Sequence, residues 1–400
     1  MDVLSWTYAA FFALVFALHW ALPSRGSRQA LLVLATGVWY VFGVWWHALA
    51  AIGMGTSAWI VGRWISSRPA ERRGLPTTLG ILLPIAYFIG FRHLAEWFGY
   101  EAEGPDRPWL LPNPLLAPIG LSFIMFESIA FQLDLYFGKL ERPGSWWSHM
   151  VFVLFFPTRV IGPMRKYQDF VAQIGAVERP SPEQVAKGLR RIGIGLFKKV
   201  VLANPLGTFA LFNLRPEMIE SGSSVPLLLG GYVYWLYLYF DFSGYSDIAI
   251  GTSHLLGFRV PENFDHPYRA TNVSEYWQRW HMSLSFWVRE YIYAPLAIQW
   301  RYHAFGPPLA ACLSMIVLGL WHGIELRFVV FGLIHGLWLA AHMVYRQTLL
   351  RRKRVRRWSQ TGAWTFVSWF LTMNGIVWTH ILYATSSFGL AIDWMKAVLG

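Results

Sequence analysis

Apolar stretches of roughly 20 residues recur along this chain, and they constrain its fold more than any other feature. Hydrophobic residues make up 55% of the 400 residues, and charged residues only 14%. A soluble domain usually carries about 25% charged residues. The chain also holds 23 Trp and 18 Tyr, whose amphipathic rings favour the membrane interface. We therefore expect an all-α polytopic membrane protein.

The basic residues lie mainly in short segments between the apolar stretches and give a net charge of +12. This distribution is typical of cytoplasmic loops, so it favours a membrane-orientation signal over nucleic-acid binding. Placing every major basic cluster on one face predicts about ten crossings, a retained first span and both termini outside. The later predicted spans cover about residues 75–91, 114–137, 200–213, 224–250, 307–320, 328–346 and 361–384.

Several segments between the spans have distinct expected positions. Residues 146–167 contain Pro157 and Pro163, which interrupt a helix and predict a re-entrant or interfacial segment. The sequence also predicts a turn at 40–53, an outer acidic segment at 96–109, an inner amphipathic surface helix at 171–199 and an inner charged segment at 254–301. With no internal repeat or flexible linker, we expect one membrane domain over residues 1–400, with its core motifs at 115–346.

Two carboxylates, Asp241 and Asp247, fall in or beside a predicted span. Ionisable groups at membrane depth are costly and usually face a partner, a cavity or the bundle interior. Each carboxylate either pairs with Arg279 or Arg289 to hold the fold, or takes part in substrate binding. Their polar neighbours Ser243 and Tyr245 join them as candidate supporting residues.

Histidines supply the strongest candidates for chemistry. His322 follows an apolar run and precedes Gly323, and a polar turn with Glu325 and Arg327 comes next. An imidazole titrates near neutral pH, so it suits a general base acting on a hydroxyl. His335 lies within the next span, where packing between helices is the simpler interpretation.

A third histidine, His281, lies on a helical segment together with Trp277 and Trp280, spaced to share a face. Such a segment is either an aromatic anchor at the membrane interface or part of a site. The sequence contains no H-E-x-x-H metal motif, P-loop, G-x-S-x-G or G-x-G-x-x-G pattern, and its single cysteine excludes disulfide scaffolds within one chain.

Eight segments follow one another along the chain: "APIGLSFIMFESIAFQLDLYFG", "FFPTRVIGPMRKYQDF", "GLFKKVVLAN", "YFDFSGYSDIAIG", "PENFDHPY", "YWQRWHMSLSFWVREYIYAPL", "GLWHG" and "FGLIHG". Together they resemble the membrane-bound O-acyltransferase family, and in particular the bacterial branch that contains the alginate O-acetylation membrane protein. The resemblance implies a bowl of tilted transmembrane helices with re-entrant and interfacial helices and a tunnel.

The resemblance also implies roles for individual residues. His322 matches the family's catalytic histidine, and His281 matches its second, more hydrophilic polar position. His335 matches a motif position with a supporting role. The remaining candidates for substrate binding or support are Asp241, Ser243, Tyr245, Asp247, Asn263, Trp277, Arg279, Trp280, Arg289 and Trp321.

The function implied by the resemblance is O-acyl transfer, most simply of acetyl, in the bacterial inner membrane. The donor would be acetyl-CoA or an acyl-carrier thioester on the cytoplasmic side, with no bound cofactor or metal. The acceptor would be an exported polysaccharide or envelope glycan, reached directly or through a periplasmic relay protein. The alternatives are D-alanine transfer from a carrier thioester, a glycan or lipid exporter, and a secretion-complex scaffold.

Overall fold

A computed structural model describes residues 3–41, 46–97, 120–221 and 223–400, and these residues form helices with no strand among them. The chain divides into two compact units. One comprises Met1–Gly193 with Ser246–Pro261, and the other Ile194–Tyr245 with Glu262–Gly400. Most of the segment predicted at 96–109, the start of the span at 114–137 and part of the turn at 40–53 lie outside the described residues. The rest of that predicted turn is wrong from Trp46 onward, where a helix begins.

The first unit is built on packing among its longer helices. Helices α3, α4 and α5 pack against one another, and α6 packs on α2 and α3. The helices are α1 (Trp6–Ala21), α2 (Arg25–Val41), α3 (Trp46–Ser66), α4 (Gly74–Trp97), α5 (Leu121–Tyr136), α6 (Trp146–Val153), α7 (Tyr167–Ile174) and α8 (Pro182–Leu196), whose end belongs to the second unit.

The proline-bearing segment at 146–167 is interrupted, as the sequence predicts. Helix α6 is followed by a single 3₁₀ turn, Phe156–Thr158, before α7 begins. Arg159 and Arg165 from this segment are buried and pair with Glu127 of α5 at 2.5 and 3.1 Å. The irregular backbone of this segment is thus enclosed by protein, which is what non-helical backbone away from water requires.

The second unit holds most of the motif segments. Its helices are α9 (Asn204–Asn213), α10 (Pro216–Glu220), α11 (Ser224–Leu255), α12 (Val273–Arg279), α13 (Met282–Val288), α14 (Ala294–Gln299), α15 (Gly306–His322), α16 (Leu326–Thr348), α17 (Lys353–Ser359), α18 (Gly362–Ala384) and α19 (Phe388–Leu399). The last residues of α11, from Ser246, belong to the first unit. Helix α16 packs against α12, α15 and α18.

Helices α15 and α16 form a tight hairpin because glycines remove side chains from their interface. A Cβ atom on Gly332 would lie 2.3 Å from the carbonyl oxygen of Met315. A Cβ atom on Gly336 would lie 2.6 Å from Cα of Cys312. Neither backbone can move aside cheaply, so these two glycines of "FGLIHG" set how closely α16 approaches α15.

Three helical stretches among the described residues are long and apolar enough to cross a membrane: His47–Ser66, Pro182–Asn213 and Leu326–Thr348. The second corrects the sequence prediction, which places a surface helix at 171–199 and a separate span from 200. The structure breaks the chain after α7 instead, and one helix runs from Pro182 to Asn213 through a π-helical segment, Phe197–Ala203. Within this helix Lys199 pairs with Asp241.

Candidate active site

His322 is the last residue of α15, at the tip of the helical hairpin. The helix ends at Gly323, whose extended backbone turns the chain away, and α16 begins at Leu326. The His322 side chain is half-buried. Glu325 and Arg327 of the turn pair with each other, with Nε of Arg327 2.8 Å from the Glu325 carboxylate. The structure therefore places an accessible imidazole beside a polar turn, as the sequence predicts.

Aromatic rings fix the position of the His322 imidazole. Its centroid lies 4.2 Å from that of Trp321 and 4.8 Å from that of Tyr383, which meets it edge-on at 85°. Phe328 packs at 6.2 Å and also contacts Tyr383 at 5.1 Å. Contacts of this kind restrict how the His322 ring can turn.

His335 is fully buried in α16, and both of its ring nitrogens are bonded. Its Nδ1 atom accepts a hydrogen bond from Nε1 of Trp277 at 3.3 Å. Its Nε2–H donates to Oγ1 of Thr379 at 3.0 Å, because the Thr379 hydroxyl itself donates to the carbonyl of Ile376. If the ring were cationic, its Nδ1–H would face the Nε1–H of Trp277, and neither group could accept. The network therefore holds His335 neutral, which favours a supporting role.

His281 lies outside the spanning helices, in the turn between α12 and α13, with φ +43°. Left-handed backbone is uncommon for a non-glycine residue and often marks a functional constraint. Its Nδ1 atom lies 3.1 Å from Oδ1 of Asn263, an oxygen that also accepts from the backbone N–H (3.3 Å) and hydroxyl (2.9 Å) of Ser283. The acceptor role of that oxygen assigns the proton of His281 to Nδ1 and leaves a lone pair on Nε2.

Burial lowers the pKa of His281 to about 3, so the ring is neutral at ordinary pH. The turn that supplies Asn263 is held in place by Arg279, whose guanidinium bonds the Asp265 carboxylate at 2.8 Å and the Glu275 carboxylate at 3.0 Å. Arg279 therefore holds the loop under His281 and is not the partner of Asp241 or Asp247.

A continuous chain of ring contacts links His281 to His322 within the second unit. Successive ring centroids lie 4.6 to 6.1 Å apart. Trp280 is central to this chain and also stacks on Tyr276 at 5.6 Å. The order is His281, Phe242, Phe264, Trp280, His380, Tyr383 and His322.

The carboxylates of α11 have partners that differ from those considered in the sequence. Asp241 pairs with Lys199, whose ammonium lies 4.5 Å above the ring of Tyr245. Asp247, in the first unit, lies 2.5 Å from Nε of Arg191. Both carboxylates therefore neutralise cations of the long helix Pro182–Asn213, which the sequence prediction had divided. Ser243 lies between them and is buried.

A cavity of about 580 Å³ lies in the second unit between α12, α13, α15 and α16. Its lining includes the exposed cations Arg289 and Arg346 and the buried side chains of Met315 and Leu318. The other lining residues are Ser274, Trp277, Gln278, Met282, Ser285, Phe286, Val288, Tyr293, Ala311, Ser314, Leu339, His342 and Met343.

Ala311, Met315 and Leu318 line the cavity, and at helical spacing these positions share one face of α15 with His322, which is not itself among the lining residues. Sequence reasoning did not single out Lys199, Thr379 or Tyr383 as site residues; the signal for this region is the polar turn after His322.

Comparison with known proteins identifies the family. Residues 118–385 match MBOAT, the membrane-bound O-acyltransferase family. The chain is 32% identical over 395 residues to the probable alginate O-acetylase AlgI of Pseudomonas putida, covering 94% of this chain and 78% of that protein. It is 29% identical to the peptidoglycan O-acetyltransferase of Helicobacter pylori, covering 84% and 66% of the two chains. It is 28% identical to the teichoic acid D-alanyltransferase of Bacillus subtilis, covering 66% of each. The chain therefore belongs to the membrane-bound O-acyltransferase family and is an O-acyltransferase.

Proposed function

We propose that this protein transfers an acyl group, most simply acetyl, from a cytoplasmic thioester to hydroxyls of an exported polysaccharide or cell-envelope glycan. The observation that carries the proposal is the cavity lined by Ala311, Met315 and Leu318, on the face of α15 that also carries His322. Relatives named as O-acetylases of alginate and peptidoglycan support a glycan as the acceptor. Transfer proceeds directly or through a periplasmic protein that relays the acyl group.

The proposed location is the bacterial inner membrane, with about ten crossings, both termini outside and one membrane domain over residues 1–400. The basic helix α17, with its Lys353–Ser359 stretch, follows α16 directly and belongs on the cytoplasmic face under this topology. Arg346 at the end of α16 then lies on the same side, so the basic end of the cavity faces the cytoplasm.

The donor proposed for this cavity is an anionic thioester, acetyl-CoA or an acyl-carrier thioester. Arg289 and Arg346 supply positive charge at its exposed end, which suits a phosphate-bearing donor. Met315 and Leu318 supply an apolar wall for the acyl end. No bound cofactor or metal takes part in the proposed transfer.

In the proposed reaction His322 is the general base. It takes the proton from an acceptor hydroxyl as the oxygen attacks the thioester carbonyl. The tetrahedral intermediate collapses, the carbon–sulfur bond breaks and the departing thiolate receives the proton. A positioned base contributes about 10²–10⁴-fold, and the rest comes from holding two substrates in line away from water.

His281 is proposed to position a substrate through Nε2. Because Nδ1–H donates to Asn263, Nε2 presents a lone pair and can accept a hydrogen bond from an amide or hydroxyl. A ring in this state does not polarise a carbonyl, so its proposed role is to orient a substrate. His335, Trp277 and Trp280 support the site by packing.

D-alanine transfer to a teichoic acid from a carrier thioester is the second candidate. The match to two teichoic acid D-alanyltransferases favours it, at 28% identity in each case. The chemistry at His322 would be the same, with a different acyl group and acceptor.

The test measures transfer and export in the same cells. A strain lacking this protein is complemented with the wild-type chain, and base-released acetate and D-alanine are quantified from purified envelope glycans. Purified protein in phospholipid vesicles is tested in parallel for thiol release from acetyl-CoA. Acetate that depends on the protein supports the first function, and D-alanine the second. Lost glycan export with unchanged acylation would overturn both in favour of an exporter or a secretion scaffold.

A further inference from the structure

The hydroxyl of Tyr383 is the one feature beside His322 that the packing described above leaves unexplained. Its ring contacts His322 edge-on at 4.8 Å, Phe331 at 4.7 Å and Phe328 at 5.1 Å. These contacts account for the ring and not for the oxygen. The oxygen is buried and has no hydrogen-bond partner among the described residues.

A buried hydroxyl without a partner is costly. Leaving such a group unsatisfied costs about 1–3 kcal/mol, and Phe would fill the same space without that cost. An unpaired buried polar group in a native structure needs an explanation, and a catalytic role is one. What distinguishes Tyr383 from other such groups is that its ring contacts His322, the proposed general base.

Helix ends bring the two groups together from distant parts of the chain. His322 is the last residue of α15, and Tyr383 lies in the last turn of α18. Arg327, in the first turn of α16, joins the start of that helix to the end of α18. Its guanidinium donates a hydrogen bond to the carbonyl of Thr385 and lies 4.4 Å over the ring of Phe328. The ring of Tyr383 is therefore packed beside the imidazole.

We propose that Tyr383 is a catalytic residue whose hydroxyl donates a hydrogen bond to the thioester carbonyl oxygen as that oxygen becomes negative during acyl transfer. This inference rests on the proposed function of His322. The acceptor hydroxyl attacks the carbonyl carbon while His322 takes its proton. The carbonyl π electrons move onto oxygen, and Tyr383 stabilises the resulting anion without losing its own proton. Collapse re-forms the carbonyl, expels the thiolate and leaves Tyr383 unchanged. Its phenol, a neutral donor, complements the base that His322 supplies.

The substitution Tyr383→Phe tests this role because it keeps the ring contacts and removes only the oxygen. Removing one donor to an oxyanion typically lowers kcat by about 10²–10³-fold. We expect such a loss in acetyl transfer from acetyl-CoA by the protein in vesicles. KM for acetyl-CoA should change by less than about twofold, and thermal stability should not fall, since an unpaired hydroxyl is lost.

Tyr345→Phe is the matched control. The Tyr345 hydroxyl is also buried without a hydrogen-bond partner, but its ring contact is with His342, at 6.3 Å. We expect its kcat to equal that of the wild type. A second measurement keeps the test decisive if Tyr383→Phe folds poorly: fluorotyrosine at position 383 makes a stronger donor in a near-identical shape and should change kcat, whereas a packing role predicts no change.

The outcomes separate this inference from the proposed function. Inactive His322→Ala together with impaired Tyr383→Phe supports both. Inactive His322→Ala with wild-type kcat in Tyr383→Phe overturns the role of Tyr383 alone. Active His322→Ala overturns the proposed function, and this inference falls with it.

Discussion

The Nδ1 atom of His281 lies 3.1 Å from the Oδ1 atom of Asn263, and this contact decides which nitrogen of the ring is available to a substrate. Asn263 is fully buried, and its oxygen also accepts two bonds from Ser283. One side-chain amide therefore fixes the tautomer of His281 and joins the "PENFDHPY" turn to the start of α13.

Replacing Asn263 by Ala should destabilise the protein and reduce acyl transfer. The ring N–H of His281 and the backbone N–H and hydroxyl of Ser283 lose their shared acceptor. Each buried donor left unpaired costs about 1–3 kcal/mol. We expect a clear fall in the thermal midpoint in detergent and a loss of activity beyond the loss of folded protein. Asn213→Ala is the control, because Asn213 is buried in the same unit and bonds only locally, to the carbonyl of Phe209. Equal midpoints for the two variants would contradict this account.

The pH dependence of stability should carry a contribution from His281. Burial lowers its pKa to about 3 in the folded state, from an ordinary value of 6.5. Between these values the unfolded chain binds the proton and the folded protein does not, so stability is lost as pH falls from 6.5 towards 3. The slope from one such group is at most about 1.4 kcal/mol per pH unit.

His281→Gln removes this titration and keeps an N–H donor for Asn263. We expect denaturant unfolding between pH 7 and pH 5 to show a shallower loss of stability in this variant than in the wild type. Parallel curves would show that His281 titrates normally, against the burial seen in the structure.

His335→Ala should damage the fold more than the chemistry. The substitution removes a fully buried ring that bonds Trp277 and Thr379, and large-to-small changes in a core cost about 2–5 kcal/mol. We expect a lower thermal midpoint, with kcat per folded molecule within about tenfold of the wild type. His303→Ala, at an exposed histidine, is the control. A wild-type midpoint with abolished kcat would instead make His335 a reacting group.

The helical class and most limits of the helical segments follow from hydrophobic pattern, because long apolar runs and basic connections are local properties. The continuous helix Pro182–Asn213 could not be predicted from the hydrophobic pattern. A lysine at position 199 indicates the end of a surface segment unless its partner, Asp241, is known. The same limit applies to the site. His322 stands out through its polar turn, but the pairing of His281 with Asn263 and the contact of His322 with Tyr383 depend on segments distant in sequence. The final helix, α19, lies beyond the last predicted span and was not expected.

The cavity predicts a specific effect on donor binding. Arg346→Gln removes a cation from the exposed end, so we expect a severalfold higher KM for acetyl-CoA with little change in kcat. The difference from the wild type should shrink as salt rises, because exposed charges are screened. Arg354→Gln, on exposed α17 and outside the cavity lining, should leave KM unchanged. The same KM rise in both variants would point to general surface charge instead.

The central claim is that His322 is the general base of acyl transfer, and the most direct test is the rate constant of His322→Ala. The measurement is single-turnover acetyl transfer from acetyl-CoA by purified protein in vesicles, with His303→Ala as the matched control and folding verified by the thermal midpoint. We predict a loss of about 10²–10⁴-fold in the rate of the variant at unchanged stability. Transfer at the wild-type rate by a folded His322→Ala protein would contradict it.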